Sequence, residues 1–490
     1  MSARVVFRAD GNPAIGGGHI MRSLALASVF AENGWQVGFA SRAESYKAMP
    51  PLGASGYDIF SLPEDSASEA AALAAHWPGG CDLLVVDHYE RDESLEHACR
   101  PWAKRILVVD DLADRKHDAD VLVDSGAAAP AVYEKLVPAT CRVLTGAKYA
   151  VLHPSFILAR EAALSRRDGR AVSRILVSLG QMDPDNATAL ALDAIEMSGF
   201  GGAVDVVLGQ SAPHLSAIRR RAKHRVNLHV NISNMPALMA TSDLAIGAGG
   251  VSGFERCCVG LPSLLLQIAA NQVNVIRTIA TAGAGIDCGL AAGMQVENLA
   301  WHLGEILEDA DRRQQMAVAG AALVDGRGAQ RIVLDVLPRV QVKNRADVSL
   351  RMAELADEDW LYALQSNPVT RMFFVNPAIP TREEHAIWMK RTMANRDTVL
   401  CIIEEGSSPR GMLRLDRIKE ASPDYTVSVA VDPAFHGAGI GAAALTLVRR
   451  LLPTATFHAK VLGDNEKSKR LFEKSGYLYV GDELYRSVPK

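Results

Sequence analysis

Three consecutive glycines precede a histidine near the start of the chain, in the stretch RADGNPAIGGGHIMRSLALA (residues 8–27). Glycine leaves backbone N–H groups open to close approach by an anion, and the N-terminus of a following helix adds a favourable partial charge. An imidazole beside such a loop could act as a general base, because its ordinary pKa of about 6.5 lies near neutral pH. It could also be a helix cap or a buried hydrogen-bonding group. The motif singles out Gly16, Gly17, Gly18 and His19.

A second glycine-rich turn, GAGGVSGFE (residues 247–255), again lies between an apolar strand-like run and a helical one. Alone, it could be no more than a tight turn. Together with the first glycine loop it predicts a two-sided diphosphate cradle, in which a carboxylate on the helix accepts hydrogen bonds from ribose hydroxyls. The candidate residues are Gly249, Gly250, Ser252 and Glu255.

A third glycine loop, HGAGIG (residues 436–441), follows the apolar run YTVSVAVDP and precedes an apolar-periodic helix. Backbone N–H groups that converge at a helix start suit a pyrophosphate. The downstream stretch GDNEKSKRLFEKSGY (residues 463–477) makes the pattern more specific than the glycines alone.

The secondary-structure elements that position these loops show two different patterns along the chain. Short apolar strands alternate with helices through about residue 338, which is typical of buried parallel sheets. Beyond PRVQVKNRADVS (residues 338–349), strands such as TVLCIIEEG and RGMLRLDR have an antiparallel character. The sequence therefore predicts an α/β protein with two doubly wound Rossmann-like domains, residues 1–160 and 161–338, followed by a smaller α+β domain, residues 345–490.

Composition limits the partners. The 490 residues are 49% hydrophobic and 22% charged with a formal net charge of −4, so a globular chain without a basic footprint for nucleic acid or anionic lipid is expected. The seven cysteines form no CxxC pair, and no apolar run reaches the length of about 18 residues that a membrane span needs. We expect a cytoplasmic protein with small-molecule partners; the oligomeric state is left open.

The first two glycine motifs, together with IAANQ (residues 268–272), closely resemble the nucleotide-sugar hydrolase family of pseudaminic acid biosynthesis across about residues 1–335. The resemblance implies the glycosyltransferase type B architecture, water as the acceptor, no metal, and release of UDP from UDP-2,4-diacetamido-2,4,6-trideoxy-β-L-altropyranose with inversion. It implies that His19 is the base, that the GAGGVS loop and Glu255 contact uracil and ribose, and that Asn271 contacts the substrate.

Residues 345–490 resemble the Gcn5-related N-acetyltransferases, in particular members that acetylate the 4-amino group of a UDP-amino sugar. The resemblance implies acetyl-CoA as co-substrate, bound by Val429, Val431, His436, Gly437, Gly439, Gly441 and Asn465. Phe472 stands where the family carries a tyrosine acid, so the proton donor is open, with Ser468 and Tyr477 as candidates. Glu383, Glu384 and His385 are candidate groups on the acceptor side.

Several assignments stay open from the sequence. Four polar residues at strand ends could also face the cleft between the two predicted Rossmann-like domains: Asp87, Tyr89, Asp110 and Asp111. Asp183 and Asn186 could be ligands or a helix cap and turn. The predicted function is a bifunctional enzyme that acetylates a UDP-4-amino sugar and hydrolyses UDP from the product. The alternatives are a glycosyltransferase with an acceptor other than water, and a hydrolase with a non-catalytic acetyl-CoA-binding module.

Overall fold

The computed structural model describes residues 3–11, 17–63, 69–127, 129–222, 225–419 and 423–489. They form two compact units. The amino-terminal unit comprises Arg4–Val29 and Val37–Ala329, and the carboxy-terminal unit comprises residues 330–489 with Ala3 and Phe30–Gln36. Within the described ranges, no helix combines the length and apolar character needed to cross a membrane.

The first sheet of the amino-terminal unit has seven strands in the order β3-β2-β1-β4-β5-β6-β7. Every pair with a defined register is parallel. The central strands are buried along their length because helices cover both faces, which explains their continuous apolar runs. The strands are β1 (Arg4–Ala9), β2 (Gln36–Arg42), β3 (Asp58–Leu62), β4 (Leu83–Asp87), β5 (Ile106–Val109), β6 (Val121–Asp124) and β7 (Arg142–Thr145).

The second sheet has six parallel strands in the order β10-β9-β8-β11-β12-β13. Its order reverses between β8 and β11, and ligand sites of such sheets lie at the carboxyl ends beside such a reversal. The strands are β8 (Arg174–Ser178), β9 (Ala203–Leu208), β10 (Val226–Val230), β11 (Leu244–Ala248), β12 (Ser263–Gln267) and β13 (Ile286–Leu290).

Fourteen helices accompany these strands in the described part of the chain, and the last of them spans the sequence boundary between the units. They are α1 (Gly18–Glu32), α2 (Ala43–Ala48), α3 (Pro50–Gly53), α4 (Glu69–His76), α5 (Glu93–Cys99), α6 (Ser155–Leu164), α7 (Ala187–Met197), α8 (Leu215–Arg221), α9 (Met235–Thr241), α10 (Val251–Cys258), α11 (Val273–Thr281), α12 (Val296–Glu308), α13 (Ala310–Leu323) and α14 (Gly328–Asp335).

The sheet of the carboxy-terminal unit has the order β14-β15-β16-β17-β18-β20-β19. All its pairs are antiparallel except β17 with β18. Its strands are β14 (Val348–Met352), β15 (Thr398–Glu405), β16 (Ser408–Arg417), β17 (Asp424–Val431), β18 (Thr456–Lys460), β19 (Leu478–Gly481) and β20 (Leu484–Ser487). Its helices are α15 (Glu358–Ser366), α16 (Pro368–Arg371), α17 (Arg382–Ala394), α18 (Ile440–Leu451) and α19 (Glu466–Lys474).

The predicted fold class is confirmed: two Rossmann-like parallel sheets are followed by a third, mostly antiparallel sheet in a smaller α+β unit. The change from parallel to antiparallel strands falls between β13 and β14, in the region where the sequence changes from apolar strands typical of parallel sheets to strands of antiparallel character.

Candidate active sites

His19 is the second residue of α1, and its imidazole is hydrogen-bonded to the last residue of β4. Its Nδ1 lies 2.5 Å from Oδ1 of Asp87, the last residue of that strand. Arg22, one helical turn after His19, donates to both oxygens of the same carboxylate, at 2.9 Å from Nε and 2.7 Å from Nη2. Asp87 therefore fixes the imidazole so that Nδ1–H donates, and no hydrogen bond among the described residues engages Nε2.

The charges of this cluster stabilise one another. Burial alone would raise the pKa of Asp87, but Arg22 and His19 hold that pKa well below its ordinary range. The pKa of the Arg22 guanidinium is raised despite burial, because the Asp87 and Asp111 carboxylates face it. The pair consequently stays ionised near neutral pH, and an ionised Asp87 is what the imidazole needs to keep its proton on Nδ1.

Tyr89 links His19 to the second Rossmann-like domain. Its ring packs edge-on against the imidazole, with centroids 4.3 Å apart. The Tyr89 hydroxyl accepts a hydrogen bond from Nδ2 of Asn271 at 2.5 Å and donates to Oδ2 of Asp111 at 3.4 Å. Asp111 is also 3.6 Å from Arg22, and burial raises the pKa of its carboxyl. Asn271 thus lies beside the predicted base, within the amino-terminal unit.

Two of the open candidates, Asp110 and Asp183, have structural partners instead. Asp110 accepts hydrogen bonds from the Tyr133 hydroxyl and the backbone N–H of Ala113, and Arg115 lies 3.0 Å from its other oxygen. The Asp183 carboxylate accepts from the backbone N–H groups at the start of α7, at 2.8 and 2.9 Å, and so caps that helix. Asn186 adopts a left-handed conformation with φ 57° immediately before the same helix.

The first glycine loop is described only in part. Gly16 lies outside the described residues, whereas Gly17 and Gly18 lead directly into α1. A Cβ on Gly17 would lie 2.5 Å from the Met49 side chain and 3.5 Å from Oε1 of Gln181, which follows β8. A Cβ on Gly18 would meet nothing within 4 Å, so this position is open.

The second glycine loop joins β11 to α10. A Cβ on Gly249 would lie 2.0 Å from the Ile276 side chain, so only glycine fits against α11. The Gly249 N–H donates to Oε1 of Gln272 at 3.3 Å, and Gln272 also accepts from Ile268 at 3.1 Å. Gly250 begins the helix in an extended conformation. The loops after β11 and β12 are therefore tied together at the carboxyl end of the sheet.

The side-chain carboxylate of Glu255, on α10, has no hydrogen bond or ion pair to a described residue. Burial raises the pKa of its carboxyl to about 7, against the opposing effect of Arg256. Arg256 is itself engaged elsewhere: it donates to the Ala248 carbonyl at 2.6 Å, to Ser263 at 3.0 Å and to Ser252 Oγ at 3.3 Å. Glu255 is consequently an unpaired acceptor beside the glycine loop.

Sequence reasoning missed three residues of this site: Arg22, Gln181 and Gln272. Arg22 could have been found from its position three residues after His19, since positions i and i+3 share a helix face. Gln181 and Gln272 lie in loops, and their alignment depends on how parallel strands stack. Sequence spacing carries no signal for them.

In the carboxy-terminal unit, two neighbouring strands separate and leave a backbone edge open. β17 pairs with β16 from Tyr425 to Val431, but with β18 only from Asp424 to Thr426. The edge of β17 through Val429 and Val431 therefore faces a gap in the sheet. Backbone N–H groups on such an edge can bind a thioester carbonyl and the amides of a pantetheine chain.

The third glycine loop follows this open edge. Gly437 and Gly439 have φ values of 79° and 83°, a conformation that side chains rarely adopt. His436 holds the start of the loop, with its Nε2 3.0 Å from the Val431 carbonyl oxygen. A Cβ on Gly441 would lie 3.1 Å from Leu471, so glycine lets α18 approach α19. The loop ends at the N-terminus of α18, as an anion site requires.

The start of α19 carries the remaining predicted acetyl-CoA residue. Oδ1 of Asn465 caps α19 by accepting from the Ser468 N–H at 3.1 Å, and Asn465 is 8% exposed. Phe472 is buried and packs edge-on against Tyr477, with centroids 5.0 Å apart. Burial raises the pKa of Tyr477, so its hydroxyl keeps its proton. The structure adds this cap to the role predicted for Asn465.

The three acceptor-side candidates on α17 differ in orientation. Glu383 and Glu384 are exposed, and Glu384 forms a capping box with Thr381 at the start of the helix. His385 is only 2% exposed. The structure thus separates one inward-facing group from two that are solvated.

Comparison with known proteins gives these sites a class. Residues 347–478 match the family model described as an Acetyltransferase (GNAT) domain. The chain is 33% identical over 200 residues to the spore coat polysaccharide biosynthesis protein SpsG of Bacillus subtilis. The aligned residues make up 40% of this chain and 58% of that relative.

Two further relatives are similar to this chain. It is 26% identical over 248 residues to the UDP-2,4-diacetamido-2,4,6-trideoxy-beta-L-altropyranose hydrolase of Campylobacter jejuni, covering 50% of this chain and 84% of that relative. An uncharacterised protein of Methanocaldococcus jannaschii is 22% identical over 509 residues and matches 97% of this chain and 96% of its own. The chain therefore joins a stretch homologous to a nucleotide-sugar hydrolase to a GNAT acetyltransferase domain.

Proposed function

We propose that the amino-terminal unit hydrolyses UDP from a UDP-2,4-diacetamido-2,4,6-trideoxy sugar, with His19 as the general base. The observation that carries this proposal is the fixed imidazole: Asp87 binds Nδ1, and Nε2 has no partner among the described residues. A base with this geometry is ready to take a proton from water. The partial homology to the Campylobacter hydrolase supports the substrate class.

In the reaction, Nε2 of His19 takes a proton from water as the water oxygen attacks the anomeric carbon. The bond between that carbon and the diphosphate oxygen breaks, and UDP leaves as an anion that needs no proton at neutral pH. The glycine loops before α1 and α10, with the partial positive charge of the helix N-termini, stabilise the leaving diphosphate. Attack opposite the leaving group inverts the anomeric centre.

The ribose and sugar contacts follow from the polar groups that have no partner or lie beside the base. Glu255 is the acceptor for ribose hydroxyls, because its carboxylate is unpaired among the described residues. Gly249, Gly250 and Ser252 contribute the loop that approaches uridine. Asn271 and Tyr89 lie next to His19 and bind the sugar.

For the carboxy-terminal unit we propose N-acetylation of the 4-amino precursor of the same sugar nucleotide by acetyl-CoA. The open edge of β17 at Val429 and Val431 receives the thioester and pantetheine, and the loop from His436 to Gly441 receives the pyrophosphate. The match to the GNAT domain supports acetyl-CoA as the co-substrate. Both steps then act on neighbouring intermediates of one cytoplasmic pathway.

The test is to incubate the full chain with a UDP-2-acetamido-4-amino-2,4,6-trideoxy sugar, with and without acetyl-CoA, and to identify products by mass spectrometry. We expect acetylated sugar nucleotide and then UDP with free sugar. UDP release that requires a second acceptor would instead support a glycosyltransferase. Tight acetyl-CoA binding without any acetyl transfer would support a non-catalytic binding module.

The role of His19 has its own test. His19→Ala should lower the rate of UDP release by about 10²- to 10⁴-fold, the usual contribution of a positioned base. The variant should stay folded and keep its affinity for UDP, with some loss of thermal stability because the hydrogen bond to Asp87 and the packing against Tyr89 are removed. Unchanged turnover in a folded variant would refute the assignment.

A further inference from the structure

His385 of α17 is buried without a hydrogen-bond partner. Its residue is 2% exposed, and both ring nitrogens lack a partner although neither is accessible to solvent. A buried polar group left unpaired costs about 1–3 kcal/mol, so such groups are rare and usually have a functional reason. The imidazole lies between two aromatic rings, with centroids 5.5 Å from Tyr362 and 5.3 Å from Trp388.

One other buried polar side chain in the same helical layer also lacks a partner, and a second has only a weak one. The hydroxyl of Thr370 on α16 has no partner and the residue is 8% exposed. Gln365 on α15 is 5% exposed, and its side-chain N–H donates to the thioether of Met412 at 3.4 Å, a weak acceptor. The layer of α15, α16 and α17 therefore holds several polar groups whose bonding capacity is unused.

This layer lies at the level of the open edge of β17. Met412 pairs with Ala430, the residue between Val429 and Val431. The side chains of Met412, Ala430 and Ile402 belong to the core cluster that α15 and α17 cover, together with Met389. Gln365 contacts Met412 directly, so it lies over the part of the sheet that receives the thioester.

Helix geometry brings His385 to the same level. A connection of three residues reverses the chain between Ala394 and Thr398. The nine residues from His385 to Ala394 rise about 14 Å, and the four from Thr398 to Ile402 about 13 Å. These ideal rises place His385 at about the level of Ile402 along the sheet, and Ile402 pairs with Met412, the partner of Ala430.

We propose that His385 accepts the proton of the acceptor amine in the acetyl transfer, within a pocket completed by Gln365 and Thr370. The inference rests on the function proposed for the carboxy-terminal unit. It names one residue for a step that neither the glycine loop nor the open strand edge can perform. The acceptor class is a primary amine whose neighbouring hydroxyl or amide groups bond to Gln365 and Thr370.

The acceptor ammonium group gives one proton to a ring nitrogen of His385 and becomes a neutral amine. The amine nitrogen forms a bond to the thioester carbonyl carbon, and the carbon–sulfur bond breaks. The second proton lost by nitrogen goes to the coenzyme A thiolate, and the proton on His385 returns to solvent when products leave.

The surroundings keep the imidazole neutral before the acceptor binds. Burial lowers the pKa of His385, opposed by Glu358 on α15 and assisted by Arg382 on α17. Tyr362 faces the ring from α15, and Arg382 lies over the other side of that tyrosine at 4.8 Å. A neutral imidazole has a lone pair for the incoming proton, whereas an imidazolium would repel the ammonium group.

The experiment compares the full chain with His385→Gln and His385→Phe, using a UDP-2-acetamido-4-amino-2,4,6-trideoxy sugar as the probe and acetyl-CoA. We expect both variants to bind acetyl-CoA with unchanged affinity and to transfer acetyl groups at least about 100-fold more slowly at neutral pH. The rate of His385→Gln should recover as the pH rises towards the pKa of the amine, because free amine then forms without a base.

The control is His458→Gln, which changes a histidine of the same unit that lies on β18. It should leave acetyl transfer unchanged. Equal transfer rates for the wild type and both folded His385 variants would overturn the inference while leaving the proposed function intact. Absence of transfer by the wild type would overturn the proposed function and the inference with it. If one variant fails to fold, the pH profile of the other decides.

Discussion

The hydrogen bond between Asp87 and His19 decides which imidazole nitrogen can act as a base. Asp87→Asn keeps the size of the side chain but removes the charge that holds Nδ1–H and Arg22. An asparagine amide can donate to Nδ1, which would leave the proton on Nε2. We therefore expect UDP release to fall by about 10²- to 10⁴-fold, as for other residues that fix a tautomer.

The measurement is single-turnover UDP release with UDP affinity determined separately. Asp114→Asn is the matched control, because Asp114 is exposed and pairs only with Arg115 among the described residues. A folded Asp87→Asn with normal turnover would mean that the imidazole orients itself without the carboxylate.

Glu255 predicts a pH dependence of nucleotide binding. Burial raises the pKa of this carboxyl to about 7, and ribose hydroxyls donate to the ionised form. Binding should therefore release protons and tighten by up to about 10-fold from about pH 6 to about pH 8. A UDP-sugar is the ligand of choice, since its diphosphate has no terminal group that titrates in this range. Calorimetry in buffers of different ionisation enthalpy measures the proton release.

The raised pKa of Glu255 also makes the stability of the folded state depend on pH, and this effect can be measured without ligand. The folded state holds its proton at a pH where the unfolded chain, with an ordinary carboxyl, has lost it. Stability contributed by Glu255 is therefore present at low pH and decreases as pH rises through about 7. Glu255→Gln should flatten both this decrease and the pH dependence of UDP-sugar binding. A retained pH dependence in Glu255→Gln would assign it to another group.

Because residue 472 is a phenylalanine, we expect acetyl transfer to be slowed but not abolished, and we expect a hydroxyl introduced at this position to serve as the proton donor. A phenyl ring cannot protonate the leaving thiolate, but a thiolate with an ordinary pKa of about 8.5 leaves tolerably without an acid. Phe472→Tyr should raise acetyl transfer if its new hydroxyl reaches the thiolate. Tyr477→Phe tests the neighbouring ring, which contacts Phe472 and keeps its proton. Loss of transfer in Tyr477→Phe or Ser468→Ala, with no gain in Phe472→Tyr, would locate the acid at the sensitive residue.

At the scale of elements, the segment before β14 supports the glycine loop from His436 to Gly441, which we propose binds the pyrophosphate. Val340 and Val348 exchange backbone hydrogen bonds at 2.9 and 2.8 Å. Val342 packs against Gly439 of the loop. Glu405 accepts hydrogen bonds from Arg345, at 2.5 and 2.9 Å, and from Arg410, at 3.0 Å.

The two arginines meet the loop through one aromatic ring. The guanidinium carbon of Arg410 lies 4.2 Å from the ring centre of Phe435, and that of Arg345 lies 5.5 Å away. Phe435 ends the short 3-10 helix that leads into His436 and Gly437. The connecting segment is therefore a support for the loop and does more than tether the domain.

We expect Arg345→Ala to raise the KM for acetyl-CoA by about 3- to 10-fold with little change in kcat, since a cation–π contact and an ion pair are each worth about 0.5–1 kcal/mol at a partly exposed site. Arg345→Lys should recover part of the affinity. Arg396→Ala, in the exposed turn before β15, is the control. A fall in kcat with unchanged KM would show that the segment acts on the chemical step and not on the loop.

At the scale of the whole molecule, the division of the chain differs from a simple cut near residue 340. The carboxy-terminal unit includes residues 330–338 and the segment Phe30–Gln36. Gly34, with φ 84°, lies against Thr454, where a Cβ would collide with the threonine side chain. A fragment of residues 1–338 would therefore lose the packing of Phe30–Gln36 against the rest of the carboxy-terminal unit.

We expect residues 1–338 to melt several degrees lower than the corresponding transition of the full chain, because a lost packing contact of about 1 kcal/mol shifts Tm by about 2–4 °C in a domain of this size. Differential scanning calorimetry of the fragment and the full chain measures this. A fragment of residues 345–490 should bind acetyl-CoA more weakly than one beginning at residue 338, which keeps Val340 and Val342. Equal affinity of both would remove the support assigned to the connecting segment.

The sequence alone determined the fold class and the order of the three sheets. Strand and helix periodicity follows from local side-chain alternation, and the glycine loops have local backbone requirements, as the φ values of Gly437 and Gly439 illustrate. His19 could be singled out for the same reason, because its loop and helix start are contiguous in sequence. The change of sheet type near residue 340 could also be predicted from strand composition.

Only the tertiary structure decided which side chains meet across the strands. Asp87 is 68 positions from His19, and Asn271 is 182 positions from Tyr89, so their contacts depend on the register of parallel strands and on the packing of two domains. The structure likewise distinguished Asp87 from Asp110 and His385 from Glu383, since burial and partners are set by the whole fold. The type of a residue, which the sequence shows, indicates what chemistry its side chain can perform. Long-range packing decides which of these side chains are positioned to perform it.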